Sequence, residues 1–416
     1  MNYINVDESL RVLLNSFENI SSSQLIPSSE SYRRVLFNDI YSSHDVPFYD
    51  KSHFDGYAVN SSDTENASSD SPLLLKVIDS AELTDNSPLS LQLGNSMKIR
   101  TGAFVPYGSN SIIPKENVKV VDDYIELTSP INSGHGIVPR GSDLKSGTII
   151  VKKGSIIRSQ DLSLFRLLRI PDVAVYSKPS VGIISVGSEL SDNLKEATSG
   201  KITRSHDFMV HQLISDLGAI PKDHGIVHDD IELIKKKLSS LLSGSSIILT
   251  IGGSSVGESD LVSQAIQELG DPGMIVHGLQ LQPGRVAGFG CISGTPIILL
   301  PGLIQSTINA FIFLVFPLIR KLIGLPADRK DWSLYATLSD SVTFTSFTNF
   351  KHVTWIRLKR VNNKLIATPV IGDSSMLNVF LQSHGYLLTD SNVTQIKSGT
   401  LVEVNQIRGM IGSPFD

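Results

Sequence analysis

Ile247-Ile248-Leu249-Thr250-Ile251-Gly252-Gly253-Ser254-Ser255-Val256-Gly257-Glu258-Ser259-Asp260 is the stretch on which the reading of this chain turns. Apolar residues around one threonine describe a fully buried strand. The paired glycines end it. A helical spacing then begins at Asp260, carried by Leu261, Val262, Ala265, Ile266 and Leu269. A strand that passes through a Gly/Ser loop into a helix aims loop N–H groups and a helix N-terminus at one point, which suits an anion such as phosphate. Gly253 lets the backbone approach closely because it has no Cβ. The spacing is neither a dinucleotide fingerprint nor a lysine-bearing phosphate loop. An ordinary strand-to-helix turn has the same local pattern.

Working outward, the next segments repeat the alternation. Strands are expected at Val173–Tyr176, Val181–Val186, Val286–Ile292 and Ile297–Leu300, and helices at Phe208–Leu217, Ile231–Leu242 and Leu261–Leu269. This pattern predicts a doubly wound, mostly parallel α/β domain with ligands beyond the carboxyl ends of its strands. Gly187-Ser188-Glu189, Gly252 to Asp260 and Pro301-Gly302 fall at that edge. The segment Ile304–Ile323 is apolar nearly all round and is read as a buried helix, kinked at Pro317.

Before this region the chain is of another kind. An amphipathic helix opens near Asp7, with Leu10, Leu13, Leu14 and Phe17 on one face. Ser21–Ser31 is serine-rich and read as a loop. Short strands at Leu73–Ile78, Met97–Arg100, Ser111–Ile113, Val118–Val121 and Tyr124–Leu127 make a small inserted β domain. A helix runs from Ser159 to Leu168 and Pro171 closes it. After a polar linker at 326–331 the period becomes two, with a hairpin at Asn362-Asn363, and a C-terminal β barrel or sheet is expected. The expected domains are 1–44 with 139–170, then 45–138, 171–325 and 326–416.

Composition narrows the function. The chain has 416 residues, 41% of them hydrophobic and 19% charged, with a net charge of −5, which argues against a broad nucleic-acid surface. The single cysteine, Cys291, allows no intramolecular disulfide and no Cys-rich zinc site, and a reducing intracellular setting fits. No secretion signal is read at the N-terminus, and no apolar run is long enough to span a bilayer. His224 and His228 lie four apart, but Gly225 and the β-branched Ile226-Val227 argue against a helical metal pair. Ser254 and Ser255 lack a histidine pattern for a nucleophile. Lys235-Lys236-Lys237 reads as a solvated helix face.

Separated motifs then agree on a family. The stretch from Asp45 to Val59, which contains Asp55-Gly56-Tyr57-Ala58-Val59, resembles the "D-G-Y-A-V" signature of the molybdopterin molybdenumtransferases, the MoeA and gephyrin E-domain type. Arg100-Thr101-Gly102-Ala103 with Pro106, Ser111 to Glu116, Gly141-Ser142-Asp143-Leu144, Ser185 to Leu190 and Gly200 to Ser205 are similar to the motifs that follow it in that family. Gly252 to Asp260 resembles "G-G-x-S-x-G-x-x-D", and Pro283-Gly284-Arg285 and Leu300-Pro301-Gly302 are similar to "K-P-G-K-P" and "L-P-G-N-P". The resemblance covers nearly the whole chain.

It implies a four-domain homodimer in the cytoplasm that inserts molybdate into adenylylated molybdopterin and releases AMP, assisted by Mg2+. The partners implied are the small pterin substrate and other proteins of the molybdenum-cofactor pathway, with no nucleic acid and no membrane. By the resemblance, Asp55, Thr101, Asp143, Glu189 and Asp260 would be catalytic. Gly252, Gly253, Ser254, Ser255, Gly257, Pro283, Gly284, Arg285, Pro301 and Gly302 would hold the substrate. Glu189, Asp229, Asp230 and Asp260 are the candidate cation ligands, since magnesium takes one or two carboxylates plus phosphate oxygens. An N-cap role for the Asp229-Asp230 pair is an equal alternative.

The chain departs from the family at several chemical positions. Val186 and Ser188 replace a threonine and an aspartate. Arg204 and His206 replace an aspartate and an asparagine. Gln282, Arg285 and Val286 stand where the family has Lys, Lys and Pro, and Leu303-Ile304 stand for Asn-Pro. Val186, Leu303 and Ile304 are expected to make the edge less polar, and Arg204 and Arg285 to add cations of a different shape. Three functions are therefore weighed: the insertase, a non-catalytic paralogue that binds molybdopterin, its adenylate or a protein partner, and an adenylyl-transferring enzyme of the same pathway. The signatures at Asp55 and Thr101 argue against the third.

Overall fold

The computed structural model describes residues 3–17, 21–83, 87–193, 200–253, 260–327 and 333–406. The chain forms two compact units, one of residues 1–37, 154–157 and 172–416, the other of residues 38–153 and 158–171.

The first unit is built on a six-stranded sheet. Its strands are β1 (Ser180–Val186), β2 (Ile220–Val227), β3 (Ile247–Gly252), β4 (Gly273–His277), β5 (Gly288–Ile292) and β6 (Thr295–Leu300), in the order β2-β1-β3-β6-β5-β4. Strands β2, β1, β3 and β6 run parallel, and β5 and β4 complete the sheet antiparallel. The helices are α1 (His206–Asp216), α2 (Ile231–Leu241) and α3 (Leu261–Leu269). The continuous apolar run of β3 now has a cause. Ile247, Leu249 and Ile251 face a core shared with α1, whereas Ile248 faces the core of α2 and α3. A strand covered on both faces needs apolar residues at successive positions.

The apolar helix predicted over Ile304–Ile323 is present and buried, but it is not uniform. An α segment, α4 (Ile304–Ala310), passes into a π turn at Phe311–Val315 and returns to α geometry at Phe316–Leu322. Pro317 sits in the first turn of that last segment, where its missing N–H is tolerated. The widened turn, not a break, accommodates the proline.

The helix Val6–Ser16 buries Val6 and Leu13 in the same core as α4 and the sheet. The first segment therefore groups with the α/β and C-terminal regions, whereas sequence reading joined it to 139–170. Ser23–Pro27, expected as loop, pairs antiparallel with Asp172–Tyr176. It is a mostly exposed ribbon, so no apolar period marks it.

The C-terminal region closes into a five-stranded barrel of Lys351–Val361, Lys364–Val370, Ser333–Leu338, Leu401–Asn405 and Gly385–Leu388. Asn362 and Asn363 turn the expected hairpin with φ of 47° and 62°. Leu281-Gln282 adds to the barrel by pairing with Lys351-His352.

The second unit holds a six-stranded sheet in the order Ser111–Pro114, Gly56–Val59, Asn95–Ile99, Leu73–Ala81, Tyr124–Leu127 and Lys119–Val121. Five of these strands were expected. The sixth, Gly56–Val59, begins at the Asp-Gly turn and is wholly buried. A Cβ on Gly56 would lie 1.9 Å from the Ile113 carbonyl oxygen, so only glycine lets these strands meet there. The helix Ser159–Leu167 is also in this unit.

Candidate functional site

Strand β1 lies between β2 and β3, so the chain changes direction across the sheet at the β1–β3 boundary. In open α/β sheets that is where ligands bind. The carboxyl ends of β1, β3 and β6 meet there at Val186, Gly252 and Gly302. Gly252 ends β3 at φ 82°, and a Cβ on it would stand 2.4 Å from the Val186 carbonyl oxygen. Gly253 has φ 68°, and a Cβ there would meet Val186 Cγ1 at 2.6 Å and Val262 Cγ2 at 2.7 Å. Both glycines are thus required by close approach and by backbone conformation. Ser254, Ser255 and Gly257 lie outside the described residues.

Two carboxylates sit on neighbouring loops of this edge. Glu189 is exposed and folds back over Gly187, where a Cβ would lie 2.7 Å from both of its carboxylate oxygens. The Ser188 amide donates to Asp229 Oδ2 at 2.7 Å, and the Asp229 amide donates back to Ser188 Oγ at 3.0 Å. The serine that replaces an aspartate therefore ties the β1 loop to the β2 loop. Lys201 Nζ donates to the Ser188 carbonyl at 2.7 Å.

The other two acidic candidates are differently engaged. Asp230 is the N-cap of α2, accepting from the Glu232 and Leu233 amides at 2.9 and 3.0 Å. The capping alternative describes it. Asp260 is buried and caps α3: its Oδ1 accepts from the Ser263 amide at 2.9 Å, and its Oδ2 lies 2.8 Å from His277 Nε2. His277 ends β4, at the same edge, and sequence reading missed it. Among the described residues no group of three or more His, Cys, Asp or Glu side chains is arranged to hold a metal.

Arg204 corrects an expectation. It brings no free cation to the edge, because its side chain is only 8% exposed and pairs with three carboxylates. Nε donates to Asp192 at 2.7 Å, and Nη1 and Nη2 form a fork with Asp223 at 2.6 and 2.8 Å. Asp207 lies 3.1 Å from Nη1. The Asp223 fork raises the guanidinium pKa further, against the opposing effect of burial. The expected apolar patch is also smaller. Val186 and Ile304 are buried, and only Leu303 is exposed, at 50%. His206 packs beside the Gly302 backbone, and burial pushes its imidazole below the ordinary histidine range.

The Pro283-Gly284-Arg285 loop is held from α4. Asn309 Nδ2 donates to the Pro283 carbonyl at 2.9 Å, and Thr307 Oγ1 donates to the Leu303 carbonyl at 3.0 Å as well as to that of Pro301. Helix α4 also grips a loop of the barrel region. The Gln305 amide donates to the Ser374 carbonyl at 3.0 Å, and its side chain donates to the Asp373 carbonyl at 2.6 Å. The loop Gly372–Ser375 therefore adjoins the Pro301-Gly302 turn. Its signal was three small polar residues in a row, which any surface turn shares.

In the second unit the structure brings Asp55 and Thr101 together. Asp55 Oδ1 accepts from the Thr101 amide at 2.8 Å and from its hydroxyl at 2.9 Å. Those bonds hold the Asp55 carboxyl below its ordinary range. Lys115 Nζ is 4.0 Å from Asp55 Oδ2. Asp143 is exposed, with its amide on the Val46 carbonyl at 3.0 Å. The strap that carries it is fixed by Arg140, whose Nε donates to Asp45 and whose amide donates to Asp50, both at 2.7 Å.

A glycine-lined switch-point edge with a carboxylate pair, in a unit that also carries a closed barrel and in a chain that also carries a second, β-rich unit, defines an α/β protein of the molybdopterin-binding class. The "Probable molybdopterin binding domain" profile matches residues 182–321, flanked by matches to the MoeA N-terminal region (domains I and II) at 4–168 and the MoeA C-terminal region (domain IV) at 337–407. A protein of Methanocaldococcus jannaschii is 32% identical over 385 residues, covering 90% of each chain. A molybdopterin molybdenumtransferase 2 of Mycobacterium tuberculosis is 30% identical over 305 residues, 72% of this chain and 75% of its own. The crystal structure of a molybdopterin biosynthesis MoeA protein from Pyrococcus horikosii superposes with a TM-score of 0.88 at 28% identity, covering 98% of this chain and all of that one. The chain belongs to the MoeA family of molybdopterin-biosynthesis proteins.

Proposed function

We propose that this protein is a molybdenum insertase: it takes molybdate and adenylylated molybdopterin, transfers molybdenum to the pterin dithiolene and releases AMP. The observation that carries this reading is the convergence of Gly187-Ser188-Glu189, Gly252-Gly253 and Pro301-Gly302 at the switch point, with two carboxylates beside them. The family supports it, since relatives 30% identical carry the name molybdopterin molybdenumtransferase.

In this reading the Gly253 N–H and the N-terminus of α3 take the pyrophosphate oxygens. Glu189 and Asp229 are the residues that would hold Mg2+. They are oxygen donors on adjacent loops, and Gly187 leaves the space under the Glu189 carboxylate that a Cβ would fill. The cation, when bound, neutralises charge that builds on the leaving phosphate. Asp230 and Asp260 are assigned to positioning: each caps the helix that begins at its loop. Arg285 holds an oxyanion through its planar fork. Asp55, held by Thr101, and Asp143 are assigned a catalytic role by the family resemblance alone.

The protein is further proposed to act in the cytoplasm as a homodimer and to meet other proteins of the cofactor pathway. The family resemblance supports these readings, and among the described residues no helix is long and apolar enough to cross a membrane. The test is AMP release by purified protein from adenylylated molybdopterin. Release should need both molybdate and Mg2+ and should fall at least tenfold in Glu189→Gln. Release that ignores either ion would contradict the reading.

A further inference from the structure

The family position occupied by lysine is Arg285 here, and the structure gives that arginine an aromatic neighbour from the barrel. Its Cζ lies 4.8 Å from the centre of the Phe347 ring. None of the ion pairs among the described residues involves Arg285. An aromatic face attracts a guanidinium without consuming the N–H donors, which lie in its plane. Arg204, caged by three aspartates, is the contrasting case in the same unit.

Phe347 is held in place at a conformational cost. Its φ is 52°, in the left-handed region that bulky residues rarely adopt. Its carbonyl accepts from the Phe350 amide at 2.8 Å and lies 3.1 Å from His352 Nε2. Burial lowers the His352 pKa, which keeps the ring neutral, and its Nε2–H then donates to that carbonyl. The Asn392 amide ties the next residue, donating to the Thr348 carbonyl at 2.9 Å. The Phe350 ring, 5.0 Å away, backs the Phe347 ring and is itself packed by Tyr3. Leu281-Gln282, immediately before the Pro283-Gly284-Arg285 turn, pairs with Lys351-His352, immediately after the Phe347 loop. One short ladder thus fixes both partners.

We propose that Phe347 is a positioning residue: an aromatic platform, presented by the barrel, that holds the Arg285 guanidinium flat so that its edge donors take the oxyanion of the substrate. The proposal rests on the reading of Arg285 as the oxyanion holder. It makes the barrel loop part of substrate affinity, in a form that a lysine at 285 would use far less.

The test is molybdate binding by calorimetry, with KM and kcat for molybdate-dependent AMP release, on wild type, Phe347→Leu, Phe347→Tyr, Arg285→Lys and the double variant Phe347→Leu/Arg285→Lys. Phe347→Leu should weaken molybdate binding and raise KM by about 3- to 30-fold, the range of a partly desolvated cation–π contact, with kcat little changed. Phe347→Tyr should stay within about twofold of wild type, because it keeps the aromatic face. In the Arg285→Lys background, Phe347→Leu should add almost nothing. An equal loss in both backgrounds would show a general structural role and overturn the proposal, as would unchanged binding in Phe347→Leu. If wild type binds molybdate but Arg285→Lys and Phe347→Leu both match it, the oxyanion role of Arg285 falls while the insertase stands. If wild type neither binds molybdate nor releases AMP, the insertase reading falls and this proposal with it.

Discussion

Asp260 offers the sharpest test of how the start of α3 is anchored. Among the contacts of its buried carboxylate are two directional ones to described residues, the cap to Ser263 and the contact to His277, at 2.9 and 2.8 Å. Asp260→Ala removes both. Loss of an N-cap costs about 1 kcal/mol, and the bond to His277 adds roughly 1.5 kcal/mol or more when one partner is ionised. The sum, about 2–4 kcal/mol, corresponds to a fall in Tm of roughly 4–10 °C for a domain of this size. Asp260→Asn behaves differently, because asparagine caps helices as well as aspartate does and can still meet His277. It should cost less than about 1 kcal/mol. The assay is thermal unfolding of both variants beside Mg2+-dependent AMP release. Asp260→Asn is expected to keep a near wild-type Tm and at least a tenth of the wild-type rate, with Asp260→Ala lower in both. Abolished turnover in a fully stable Asp260→Asn would refute the positioning role, and would return the aspartate to the cation.

Other perturbations follow from the same geometry. Gly253→Ala places a methyl against Val186 and Val262 at a positive φ, so it should destabilise by at least about 1–2 kcal/mol and sharply reduce turnover, with partial recovery of Tm when Val186→Ala is added. Arg204→Met strands the buried Asp207 carboxylate and should cost about 3 kcal/mol in urea unfolding, with Arg204→Lys intermediate because an ammonium cannot fork to Asp223. The Asp55 carboxyl is held low by Thr101, so its stabilising contact is complete above the ordinary carboxylate pKa, about 4, and is lost only as pH falls through the lower folded value. A pH profile of turnover should accordingly show no acid limb that Thr101→Val shifts between about pH 5 and 8, and a large shift in that window would count against the pairing.

Much of this was readable from residue order. The buried run at Ile247–Ile251 could only be a strand covered on both faces, and the helical spacing from Leu261 fixed what followed it. Asn362-Asn363 between alternating runs specified the hairpin, because asparagine tolerates positive φ. What escaped was set by tertiary context. Ile220–Val227 carries Pro221, Lys222, Asp223 and His224, so only the β-branched Ile226-Val227 at its end hints at a strand, yet the whole segment forms the sheet edge beside β1. Ser23–Pro27 has no apolar period and is specified by its partner strand. The Asp55–Thr101 pair and the Ser188–Asp229 tie join residues of short local motifs, which sequence reading singles out one by one. The caging of Arg204 was not legible, since its fork closes on Asp223, beyond the whole of α1. His277 and Phe347 were invisible for the same reason: each acts on a residue that the fold, not the sequence neighbourhood, brings to it.

The most direct measurement is stoichiometric. Adenylylated molybdopterin, molybdate and Mg2+ are incubated with the protein, and pterin-bound molybdenum and free AMP are counted by mass spectrometry in the same sample. Both should appear together in a one-to-one ratio, and neither should appear when molybdate is omitted. AMP without metallated pterin, or adenylate that stays bound and intact with molybdate present, would contradict the insertase reading.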